Sequence, residues 1–172
     1  PGGAANVANN IRALGGQGEI VGVVGTDRWG TALLEELAKR QIGTSGVLRE
    51  PSRPTTVKTR VIAHHQQVVR VDREDKAPPG ASLINRLVAC ARKQLAVVDA
   101  IIIEDYGKGV ITRTLLEEII PSARSHRRVI TVDPNTTGVG KHYQLFRTEL
   151  AGDGGRGRVG VDVKKVTDFR RA

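Results

Sequence analysis

Three groups of residues in this chain have the types and spacing to handle a polyhydroxylated or phosphorylated molecule. The first is Glu104-Asp105-Tyr106-Gly107-Lys108-Gly109, which follows directly on a short apolar run, Asp99 to Ile103. A carboxylate accepts hydrogen bonds from hydroxyls, an ammonium attracts phosphate, and glycines let the backbone come close to either. The second group opens the chain: Gly2 and Gly3 precede a helix-like run, Ala4 to Leu14, with Asn6 in its first turn. Amides at a helix N-terminus point outward and bind anions or polar ligands where glycine leaves the approach open. The third is a set of polar and basic residues, Lys58, Arg60, Gln67 and Arg70, on two alternating runs. Each group has a plainer reading: a polar loop with glycine turns, a helix packed through alanines with glycines as caps, and the solvated face of a half-buried sheet.

The elements that must carry these groups follow from periodicity. Ala5, Ala8, Ile11 and Leu14 recur at helical spacing until Gly15-Gly16. Ile20 to Val24 is a short apolar run closed by Gly25. Trp29 to Gln41 is expected as a helix with Leu33, Leu34, Leu37 and Ala38 on one side, ended by Gly43, and Val47 to Arg49 as a short strand. Pro51 and Pro54 break the chain. Thr55 to His64 and Gln67 to Arg73 alternate as strands do, Val57, Thr59, Val61 and Ala63 facing one way and Lys58, Arg60 and Ile62 the other. They form an expected β-hairpin, about residues 55–73, with an apolar and a charged face. His64 and His65 are expected in its turn or at its edge, since adjacent strand residues point to opposite faces and no third metal ligand accompanies them. Ser82 to Val97 is helical, with Leu83, Leu87, Ala91 and Leu95 on one face. The run 99–103 is expected as a buried parallel strand. Thr112 caps a helix that Pro121 is expected to close, and Val129 to Val132 is another strand, leading to Asp133-Pro134-Asn135. Strands alternating with helices imply an α/β protein with a mostly parallel sheet flanked by helices, the hairpin standing off it as a lid. In such sheets ligands collect at the carboxyl ends of strands, where Asp105 and Lys108 fall.

Composition narrows the partners. The 172 residues include 27 Lys and Arg against 18 Asp and Glu, a net charge of +9. Nucleic acid is not the expected partner: the basic residues are scattered and only 3% of residues are aromatic, too few for a stacking platform. Anionic small molecules account for part of the excess equally well. The single cysteine, Cys90, excludes an internal disulfide and is expected as a small buried residue. No run approaches the ~20 apolar residues of a membrane span, and no signal peptide is visible, so the expected location is cytoplasmic, with no membrane partner.

The glycine pair, Asn6, Ala8, Gly15 and Gly25 together resemble the N-terminal signature of the ribokinase-like sugar kinases, the PfkB family. Within it, Pro54 to Glu74 looks like the lid of the bacterial heptose-7-phosphate kinases, the kinase module of bifunctional ADP-heptose synthases, at Thr56, Lys58, Arg60, Val61, Gln66, Gln67, Arg70 and Asp72. Asp105-Tyr106 followed by Lys108-Gly109, and Asp133-Pro134, also resemble family stretches near the substrate. The resemblance implies a ribokinase-like fold and transfer of the ATP γ-phosphate, with Mg²⁺, to the anomeric hydroxyl of heptose 7-phosphate, for ADP-heptose and the lipopolysaccharide core. It implies a substrate site of Gly2, Gly3, Asn6, Lys58, Arg60, Gln67, Arg70, Asp105 and Lys108. Because lid strands of this family often pair across a dimer, it also implies a homodimer of the intact protein.

The match covers about residues 1–146. The family's Asn-x-x-Glu stretch would fall in Thr148 to Arg158, which contains no Asn, although Val159 to Phe169 again looks like the family. Our hypothesis for this divergent window, about 147–158, is a pair of compensating frame shifts, which resequencing would test. The family's catalytic aspartate lies in a Gly-Ala-Gly-Asp stretch expected beyond Ala172. Ala151-Gly152-Asp153 comes too early to replace it and lacks a following small-residue helix. The expectation is therefore one partial sugar-kinase domain, 1–172: a truncated, sugar-binding half without the ATP-binding part and inactive alone, with an unpaired strand edge that lowers stability. The alternatives are another sugar kinase of the family and a non-catalytic fragment that only binds sugar phosphate.

Overall fold

The computed structural model describes residues 2–133. Pro134, Asn135, the window 147–158, Ala151-Gly152-Asp153 and Val159 to Phe169 lie outside the described residues. In chain order the elements are α1 (Ala4–Ala13), β1 (Glu19–Gly25), α2 (Arg28–Lys39), β2 (Gly43–Glu50), β3 (Val57–Ala63), β4 (Gln66–Arg73), α3 (Ala81–Leu95), β5 (Ala100–Glu104), α4 (Arg113–Ser125) and β6 (Val129–Asp133).

β1 pairs in parallel with β2, and β5 in parallel with β6, running from Ala100↔Val129 to Glu104↔Asp133. β3 and β4 form a separate antiparallel hairpin. Helix α3 binds the two parallel pairs together. Its buried face, Ile84, Leu87, Val88 and Ala91, packs with Leu115 and Ile119 of α4 and with Val23, Leu48 and Ile101 from β1, β2 and β5. On the other side of β1, Ile20 packs with Ala5 and Ala8 of α1, Leu33 and Leu37 of α2, and Ile42. Ile20 and Val23 are an odd number of residues apart, so they point to opposite faces, and β1–β2 is covered by helices on both. Leu116 and Ile120 of α4 close on Ile103, Ile130 and Val132.

Several local expectations change. Pro121 does not end its helix. α4 continues to Ser125 because Ile119, Ile120 and Ala123 are buried, Ala123 completely; packing of that face outweighs the backbone hydrogen bond that proline cannot donate. α2 stops at Lys39, two residues before Gln41, which turns left-handed at φ 56°, and Gly43 opens β2 instead of ending α2. Cys90 is half-buried. β5 is not covered throughout, since Ile102 remains 42% exposed. The hairpin forms a sheet of its own, apart from the parallel pairs, and its apolar face is open: Val61, Val69 and Val71 are exposed. His64 and His65 form its two-residue turn, both with positive φ, as hairpin turns that match strand twist require.

Candidate functional site

The site is built from the carboxyl end of β5. Buried Ile103 fixes the strand, and one bond beyond the β5–β6 ladder the Asp105 amide donates to the Asp133 carbonyl at 3.0 Å. That bond draws Asp105 inward, leaving it 7% exposed. Its Oδ1 accepts from the Gly107 amide at 2.8 Å, closing a tight turn, and Gly107 and Gly109 take positive φ values of 63° and 76°. Oδ2 is buried without a protein partner. A carboxyl oxygen in that position is an acceptor in search of a donor, such as a sugar hydroxyl.

Tyr106 turns back toward the start of the chain. A Cβ placed on Gly3 would stand 3.5 Å from the Tyr106 ring, so the first and second candidate groups of the sequence meet here. Gly3 caps α1 with φ 55°, and the Asn6 amide donates to its carbonyl at 2.9 Å. Gly2 and Asn6 are exposed beside it. Burial pushes the Glu104 carboxyl up, Asp133 on the paired strand pushes it further, and a bond with the Tyr106 hydroxyl partly offsets both. The Tyr106 hydroxyl is itself pushed up, by burial first and then by Glu104.

Lys108 points toward the base of the lid, where its ammonium pairs with Glu74. A cleft beside it, at the carboxyl end of β1, is lined by Val23, Val24, Arg53, Thr56, Asp75 and Lys108. On the lid, Lys58 Nζ lies 2.9 Å from Asp72 Oδ2 and Arg70 Nε 3.0 Å from Asp72 Oδ1. Lys58 first, and Arg70 with it, hold the Asp72 carboxyl below the usual carboxylate range. Arg60 sits directly across from Arg70, and Gln67 across from Ile62. The nine expected residues thus fall into two clusters. Gly2, Gly3, Asn6, Asp105 and Lys108 share the strand-end region, and Lys58, Arg60, Gln67 and Arg70 share the lid. No hydrogen bond or ion pair among the described residues joins the clusters directly.

Residues that the sequence reading passed over make the junction. Asp27 caps α2, its Oδ1 accepting from the Gly30 amide at 3.0 Å and its Oδ2 from the Thr55 amide at 3.0 Å, with Arg73 Nη2 at 3.7 Å. The Thr55 hydroxyl first, then the Gly30 amide, hold the Asp27 carboxyl down to about 2. Buried Thr55 also accepts from the Gly25 amide at 2.9 Å. The signal was present as an aspartate just before a helix, with a glycine three residues on whose amide it can cap.

Among the described residues no group of three or more His, Cys, Asp or Glu side chains is arranged to hold a metal ion. No described helix is long and apolar enough to cross a membrane.

The pfkB family carbohydrate kinase profile matches residues 1–143. Among curated proteins, the "Bifunctional protein HldE" of Geobacter metallireducens is 43% identical over 146 residues, which is 85% of this chain and 29% of the relative. That of Helicobacter pylori strain P12 is 43% identical over 145 residues, 84% of this chain and 31% of the relative. The chain therefore spans about three-tenths of the length of these relatives. Among solved structures, a putative ribokinase from Agrobacterium tumefaciens aligns with TM-score 0.62 at 24% identity, over 84% of this chain and 44% of that one. A possible 1-phosphofructokinase from Thermotoga maritima aligns with TM-score 0.62 at 19% identity, over 96% and 53%. The fold is ribokinase-like, and the chain belongs to the pfkB family of carbohydrate kinases.

Proposed function

We propose that the intact protein transfers the γ-phosphate of ATP to the anomeric hydroxyl of a heptose 7-phosphate, and that this chain provides the sugar side of that reaction. The observation that carries the reading is the charge of the lid: Lys58, Arg60 and Arg70 stand against the single carboxylate of Asp72. A face with two cations in excess suits a substrate that arrives already phosphorylated. The curated relatives named HldE support the same choice.

In this reading the unpartnered Asp105 Oδ2 accepts a sugar hydroxyl and holds it in a fixed direction. The Gly2–Gly3 start of α1 and the Asn6 side chain line the other side of the sugar. Lys108 supplies positive charge at the strand end, and the lid covers the 7-phosphate and excludes water. Catalysis in phosphoryl transfer is largely positioning and charge neutralisation, and these residues contribute the positioning. ATP and Mg²⁺ enter as the family's co-substrate and counter-ion. The exposed valines of the lid, Val61, Val69 and Val71, are the surface that a second copy would cover in a homodimer.

The test is calorimetric titration with heptose 7-phosphate and with free heptose, alongside ADP release by the complete kinase on both sugars. Preference for the phosphate ester supports the reading. Equal response to the two sugars, or a preference for an unphosphorylated hexose, points to another sugar of the same family.

A further inference from the structure

Two side chains at the root of the lid bind it to the strand-end loop. Arg53, in the segment that enters β3, has a side chain only 9% exposed. Its Nη1 donates to the Ala77 carbonyl at 2.6 Å, and its Nη2 to the carbonyls of Asp75 at 2.9 Å and Lys108 at 3.1 Å. One guanidinium therefore ties the entering leg of the lid to the leaving leg and to the backbone of the loop. With its donors turned to carbonyls, it is committed to structure and not to a ligand.

Glu74, the first residue after β4, has a side chain 10% exposed. Its Oε1 pairs with Lys76 Nζ at 3.1 Å and its Oε2 with the Lys108 ammonium. Lys108 is the larger cause, ahead of Lys76, that holds the Glu74 carboxyl below the usual range. Packing repeats the connection, because a Cβ on Gly109 would run into the backbone carbonyls of Lys76 and Ala77.

We propose that Arg53 and Glu74 are the positioning residues of Lys108: Arg53 sets the backbone of the loop, Glu74 aims the ammonium, and the strand-end loop and the lid root form one unit. An ammonium has three donors, and Glu74 occupies one, which leaves the others for a ligand. Pinning a side chain with four rotatable bonds before the ligand arrives takes that ordering cost out of binding. The kinetic consequence, though not the structural one, rests on the sugar-phosphate reading above.

The structural arm is tested without ligand, by hydrogen exchange of the protein and its Glu74→Gln and Arg53→Lys variants. Both variants are expected to raise exchange at Gly107, Lys108 and Gly109 together with Asp75 to Ala77, by roughly tenfold, while amides of α3 such as Leu87 keep their protection. Faster exchange at 75–77 with 107–109 unchanged overturns the proposal. The kinetic arm measures KM and kcat for heptose 7-phosphate in the complete kinase. Glu74→Gln is expected to act mainly on KM, by about tenfold, and to have no further effect in a Lys108→Met background. Additive effects of the two substitutions overturn the positioning role. A wild-type protein that turns over no heptose 7-phosphate removes the proposed substrate, and the exchange arm still decides the coupling.

Discussion

Lys58 Nζ lies 2.9 Å from Asp72 Oδ2, while the other oxygen of that carboxylate lies 3.0 Å from Arg70 Nε. One anion thus restrains two cations on the lid, and Arg60, directly across from Arg70, adds a third positive charge to the same face. A phosphate approaching this face meets cations already held in place. Removing one charge-assisted hydrogen bond costs about 1.5–3 kcal/mol, so Lys58→Ala should weaken heptose 7-phosphate binding at least about tenfold and leave free heptose unchanged. Calorimetry on both sugars checks this. An equal loss for the two would take the phosphate off the lid.

The lid root leaves no room at Gly30. A Cβ there would stand 2.9 Å from the Thr55 hydroxyl and collide with the Gly25 carbonyl. Neither neighbour can retreat, because Thr55 is bonded to the Gly25 amide and to Asp27. Gly30→Ala should therefore destabilise by roughly 1–3 kcal/mol, the usual cost of overpacking. Gly80→Ala is the control, since nothing lies within 4 Å of its added Cβ. Thermal melts of the two variants should separate clearly. Equal melting points would mean that the backbone around Thr55 yields easily.

What the sequence made legible follows from local repetition. Leu83, Leu87, Ala91 and Leu95 recur at helical spacing and all four are buried; Thr112 caps α4 by accepting from the Leu115 amide at 3.2 Å. Alternation located the hairpin, yet alternation says only which residues share a face, and Val61, Val69 and Val71 share one that nothing among the described residues covers. At Pro121, local propensity predicted a stop, and burial of Ala123 carried the helix on. Arg53 and Glu74 were illegible for another reason. Arg53 meets Lys108 across 55 residues, and a single charged residue with a distant partner leaves no periodic trace.

Asp27 should make stability depend on acid pH. Its two oxygens accept from the amides of Gly30 and Thr55, and the carboxyl is held down to about 2 from an ordinary 3.8. A depressed carboxyl stabilises the fold above its ordinary value and loses that contribution as pH falls toward the depressed one. Asp27→Asn retains only one acceptor oxygen and sets an amide donor against a backbone donor. The variant should melt several degrees below the wild type at pH 7, with the gap closing between pH ~4 and pH ~2. A gap of constant size across that range would assign the effect to shape instead of charge.

Glu104 should behave in the opposite sense. Burial raises its carboxyl first, and Asp133, its partner in the β5–β6 register, raises it further. A raised carboxyl means that the folded chain favours the protonated form, so ionisation costs stability as pH climbs past the ordinary value of 4.5. Glu104→Gln removes that cost and keeps an oxygen for the Tyr106 hydroxyl. The variant should melt higher than the wild type at pH 7, by under about 3 °C because Glu104 is only partly buried. The advantage should shrink toward nothing as pH falls to about 4, where Glu104 is mostly protonated in both states. Parallel melts of the two proteins from pH 4 to pH 8 provide the comparison. A wild type that is the more stable at pH 7 would mean that the Glu104 carboxylate is held by a donor strong enough to outweigh both Asp133 and its burial.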